Sequence, residues 1–133
     1  MAAARFTLLS PECVRIEYAP DGRFTDAPTL LAAYREAGAA SIGSPVIIED
    51  RPGGGSEPFT ISTERMELRF TPRGQGLSAQ TLQVRLRASD RLWRPGDAQT
   101  GNLGGTLSTL DGVRGPEPLG EGLLSRDGWY LID

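Results

Sequence analysis

Asp97, Asp111, Asp127 and Asp133 stand in a glycine-dense final third, and they are the residues with the strongest claim to chemistry. Two carboxylates facing each other across a sugar can run the acid/base and nucleophilic steps of glycosidic bond cleavage. Their local text argues for a plainer role. Asp111 and Asp127 each precede a glycine, and Asp-Gly is a turn dipeptide in which the carboxylate bonds nearby backbone while glycine takes the positive φ.

The rest of the inventory excludes most other chemistries. The chain has no His, which removes the commonest general base and metal ligand. All 14 basic residues are Arg, so no Lys serves as an amine nucleophile. Cys13 is alone, which excludes an intrachain disulfide and a thiolate metal site; a small core residue beside Val14 is the expectation for it. No metal and no cofactor is implied. Arg51-Pro-Gly-Gly-Gly-Ser-Glu-Pro is only superficially a phosphate-cradling loop, because no Lys follows and no strand-to-helix context surrounds it.

Trp93 and Trp129 are the residues that could stack on a pyranose ring. Trp129, followed by Tyr-Leu-Ile, reads as a core residue of a last strand. Trp93 lies between Arg91 and Arg94 and reads as surface packing, with guanidinium stacking on its indole, ahead of a ligand platform.

These residues must be positioned by short elements. At 133 residues the length fits one domain, and 17 Gly with 10 Pro favour many short strands over long helices. Arg5–Leu9 and Cys13–Tyr18 read as two strands, the second alternating Val14, Ile16 and Tyr18 with Arg15 and Glu17. Pro45–Glu49 and Phe59–Thr63 read as further strands. Arg65–Phe70 and Thr81–Arg87 form an antiparallel hairpin, with Met66, Leu68, Phe70, Leu82, Val84 and Leu86 inward. Leu123–Ser125 and Trp129–Ile132 supply the last strands. Residues 28–38 carry helix formers behind Pro28, so one short helix stays open there. The fold class is all-β, an antiparallel β-sandwich. A net charge of −3 recruits neither nucleic acid nor an anionic membrane surface, and no stretch is long enough to span a bilayer. The first residues lack the apolar run of a signal peptide, so a cytoplasmic location is expected.

The ordered words Val14-Arg-Ile-Glu-Tyr18, Pro20-Asp-Gly-Arg-Phe-Thr-Asp26, Trp93-Arg-Pro-Gly-Asp97, Asn102-Leu-Gly-Gly-Thr106, Leu110-Asp-Gly112 and Leu124-Ser-Arg-Asp-Gly-Trp129 resemble the N-terminal region of glycoside hydrolase family 31. The resemblance runs from about Phe6 to Asp133. It implies a galactose-mutarotase-like sandwich, residues 1–133, as the N-terminal module of a retaining α-glycosidase of the α-glucosidase or α-xylosidase type. It also implies that both catalytic Asp residues belong to a (β/α)₈ barrel absent from this text, since such a barrel takes about 250 residues. The ending at Asp133 is accordingly expected to be either a cut made within a longer parent or the end of a truncated gene product.

The resemblance gives the sandwich a supporting role and a loop at the rim of the sugar pocket. The stretch from Thr106 to Ser125 is the expected loop, with Asp111 and Arg114 at a turn and Asp127 and Trp129 fixing its base. It makes Thr29–Arg35 a strand, against the local helical propensity, and expects surface loops at 37–44 and 52–57. The implied partners are the missing barrel and, through the parent, α-linked glycosides. A sandwich cut from its barrel is further expected to expose an apolar face and to self-associate. A self-standing carbohydrate-binding module is the alternative, weakened by the lack of an aromatic stripe at strand spacing.

Overall fold

The computed structural model describes residues 1–26, 46–51, 57–105 and 111–132. They are all-β. Strands β1 (Ala2–Ser10), β2 (Cys13–Ala19) and β3 (Val46–Asp50) form one antiparallel sheet in the order β2-β1-β3. Strands β4 (Phe59–Ser62), β5 (Met66–Phe70), β6 (Leu82–Leu86) and β7 (Arg91–Trp93) form a second, in chain order. The helix or strand expected within 28–38, and the loops expected at 37–44 and over 52–56, lie outside the described residues.

The chain divides into two compact units, Met1–Gly96 and Asp97–Asp133, and both sheets belong to the first. Their inner faces make one apolar core. Ala4 and Phe6 of β1 pack with Met66, Leu68 and Phe70 of β5 and with Leu82 and Val84 of β6. The Phe6 ring lies 5.2 Å from Phe70 and 6.0 Å from Phe59, tilted in both pairs, as aromatic quadrupoles favour. The β5–β6 register sets Leu68 opposite Val84 and Phe70 opposite Leu82, so the period-2 pattern of both strands falls on the core side together.

The first sheet departs from simple alternation. As its central strand, β1 is buried on both faces from Ala3 to Thr7. On the face away from the core, Arg5 sits opposite Glu17 in register and donates to it twice, at 2.7 and 2.9 Å. A third nitrogen reaches Asp26 at 2.6 Å, and the guanidinium stacks 4.4 Å over the Phe24 ring. The Glu17 hydrogen bond is the main reason that the Arg5 pKa lies above its ordinary value. The fork geometry of Arg suits this bidentate contact where Lys would give a single point charge.

Two side chains hold the turns. Thr63 Oγ1 accepts from the Met66 amide at 2.9 Å and the Arg65 amide at 3.1 Å, and donates to the Pro11 carbonyl at 2.7 Å, which ties a β4–β5 turn to the β1–β2 turn. Asp50, fully buried at the end of β3, accepts from the amides of Arg73, Gly74 and Gly76 and from the Tyr18 hydroxyl. The Thr71–Gly76 turn thus wraps a carboxylate. Gly74 and Gly76 take φ of 67° and 71°, a conformation that glycine adopts without the strain a side chain would bring.

Three expectations are corrected. Cys13 is exposed, because it follows the tight Pro11–Glu12 turn and opens an edge strand. Leu123–Ser125 and Trp129–Ile132 form no strands; the pairing there is a single bridge, Asn102 to Ser125. Apolar residues make a strand only where a neighbouring strand offers a ladder. The three-residue β7 was not anticipated, and it places Trp93 opposite Val84, packed against the core.

Candidate functional site

The candidate rim residues all belong to the second unit. Its framework is a meeting of residues 99–104 with residues 119–127, made almost without regular secondary structure. Backbone bonds join Leu103 to Leu124 and Arg126 to Gly101, both at 2.9 Å. Gln99 Nε2 donates to Glu121 Oε2 at 3.0 Å, and the Asn102 side chain adds further bonds. Its Oδ1 accepts from the amides of Gly104 at 2.9 Å and Gly122 at 2.8 Å, while its Nδ2 donates to the Gly122 carbonyl at 2.9 Å. The side-chain amide thereby pairs with Gly122 as a second strand would, with one donor and one acceptor.

Glycine makes the approach feasible. A Cβ on Gly122 would collide with the Gly104 carbonyl, and one on Gly101 would sit 2.6 Å from the Asp127 carboxyl carbon. Gly104, at φ 68°, would bring a Cβ within 3.2 Å of Leu119.

Asp127 is brought to this framework. Its Oδ2 accepts from the Gly101 amide at 2.6 Å, and its own amide donates to Ser125 Oγ at 3.1 Å. It is half-buried, and Gly128 behind it takes φ 80°. Trp129, two residues on, is half-buried and lies outside any strand. Asp111 and Arg114 are exposed in the 111–118 segment, where Gly112 at φ 80° and Gly115 at φ 104° set the turns. Both Asp-Gly dipeptides therefore adopt the turn form that their sequence dictates. Thr106–Leu110, at the start of the expected loop, lie outside the described residues.

Asp127 thus acts as a hydrogen-bond acceptor for backbone. Among the described residues no group of three or more His, Cys, Asp or Glu side chains converges as metal ligands. Two surface depressions lie elsewhere, one of about 200 Å³ bordered by Arg69, Thr71, Gln80 and Gln83, and one of about 390 Å³ bordered by Glu67, Arg85, Arg87 and Asp90. None of Asp111, Arg114, Asp127 and Trp129 borders either.

Sequence reasoning gave Asn102 no role. The available signal was an Asn beside Gly101 and two residues before Gly104, where a short amide can reach backbone that side chains would otherwise crowd.

Comparison with family models, curated proteins and solved structures gives no match to this chain.

Proposed function

We propose that the chain is the non-catalytic N-terminal β-sandwich of a retaining α-glycosidase of the family 31 type, supporting a catalytic barrel and lending it a rim loop. Three observations support this reading. The ordered words of the sequence resemble that region. The described residues form two packed antiparallel sheets.

The observation that carries the reading is the third. Leu119, Leu123, Leu124, Tyr130, Leu131 and Ile132 are all exposed, Leu124 to 69% and Leu123 to 60%. Isolated exposed apolar residues are ordinary, but this many large ones within one short segment suit a surface that a further protein layer covers. In this role Asp111 and Arg114 reach toward sugar from the rim, and Asp127 and Trp129 fix the base from which they project. The catalytic acid and nucleophile belong to the barrel.

Incubation of the chain with nitrophenyl α-glucoside and α-xyloside, with calorimetry against maltose and xylo-oligosaccharides, tests the reading. No turnover, and no heat at millimolar sugar, is the expected result. Turnover above background contradicts catalytic silence. Heat with sugar gives the self-standing carbohydrate-binding module instead.

A further inference from the structure

We infer that Asn102 is the positioning residue of the second unit: its side-chain amide sets where Asp127 and Trp129 stand. The assignment of those two residues to a rim rests on the function proposed above; the positioning itself rests on geometry alone.

Four hydrogen bonds converge on this one side chain. Besides the three with Gly104 and Gly122, Nδ2 lies 3.3 Å from Gln99 Oε1. Nδ2 and Oδ1 are both used, and Oδ1 accepts twice, so neither Asp nor Leu of similar size can reproduce the set. Asn102 is also the residue that bridges Ser125 through its backbone. With Asn102 in place, Leu103 and Leu124 pair on one side and Gly101 and Arg126 on the other. That register delivers the Asp127 carboxylate to the Gly101 amide. Trp129 follows after the Gly128 turn. Among the described residues the second unit has no ladder of strands to fix this register. One side chain therefore performs what several cross-strand pairs do in the sandwich.

The chain carries two indoles, Trp93 in the first unit and Trp129 in the second, which gives each unit its own reporter. The test is Asn102→Ala and, separately, Gly122→Ala, followed by amide exchange and the two indole N–H resonances in solution. Gly122→Ala sets a Cβ against the Gly104 carbonyl, at the close approach that the Asn102 amide spans, and keeps that amide. Both variants are expected to raise amide exchange at positions 104 and 122 on the order of tenfold or more and to shift the Trp129 indole. Trp93 and the β5–β6 amides are expected to stay as in the parent. Unchanged Gly104, Gly122 and Trp129 signals in Asn102→Ala overturn the inference. Equal loss of protection in the sandwich also overturns it, since Asn102 would then be a general determinant of folding. No sugar or barrel enters the measurement, so its outcome is independent of the glycosidase reading.

Discussion

The Tyr18 hydroxyl donates to the fully buried carboxylate of Asp50 at 3.0 Å, joining β2 to the end of β3 across the intervening β1. Asp50 receives three further donors, all backbone amides of the 73–76 segment. An ionised carboxylate is an acceptor at both oxygens, so it suits four donors where no neutral side chain of that size does.

Asp50→Asn turns an NH₂ group toward donors and is expected to cost about 2–4 kcal/mol. Tyr18→Phe removes a single donor and is expected to cost about 1 kcal/mol. Urea unfolding of the two variants checks both, and equal losses would contradict the account of Asp50 as the organiser of the turn.

Burial first, and the hydrogen bond to Asp50 second, raise the Tyr18 pKa above its ordinary 10.0. The folded state then keeps its proton where the unfolded state has lost it. Stability from this group is therefore complete below pH 10.0 and declines as pH rises from there through the folded-state value. Unfolding free energy measured between pH 9 and 11.5 should fall more steeply in the parent than in Tyr18→Phe; parallel slopes would contradict the assignment.

Arg5→Met keeps the Glu17 contact with Arg15, 3.0 Å away, and removes the Arg5 contacts with Asp26 and Phe24. A loss of roughly 2–4 kcal/mol is expected, because a largely buried carboxylate loses its best partner. Asp26 is 69% exposed, so Asp26→Asn should cost under about 1 kcal/mol. Chemical denaturation orders the two variants.

Cys13 is exposed, so native protein should react with a thiol reagent at a rate close to that of the unfolded chain. Cys13→Ser should change stability by less than about 0.5 kcal/mol. A thiol that reacts only in denaturant would contradict its position.

The second sheet was legible because its strands obey one rule. Met66, Leu68 and Phe70, then Leu82 and Val84, alternate with polar residues and are buried together in the core. The centre of the first sheet was less legible. Burial of both faces of β1 hides the alternation, and the strand begins at Ala2, where the alanines give no pattern. Asp50 was invisible because its partners are backbone amides more than twenty residues away and a Tyr on another strand. Cys13 was read by residue type, and its place after a turn outweighed type. In the second unit the Asp-Gly turns were legible from two residues each. The role of Asn102 was not, because it depends on Gly122 coming from the far side of the unit. The apolar text at Trp129–Ile132 suggested a strand, and these residues instead stand outside any ladder.

The gene read beyond codon 133 tests the glycosidase assignment most directly. A family 31 parent requires the frame to continue through about 250 further codons of alternating strand and helix, with two Asp residues at the C-terminal ends of barrel strands. A stop codon at that point, or a continuation without the barrel pattern, would contradict it.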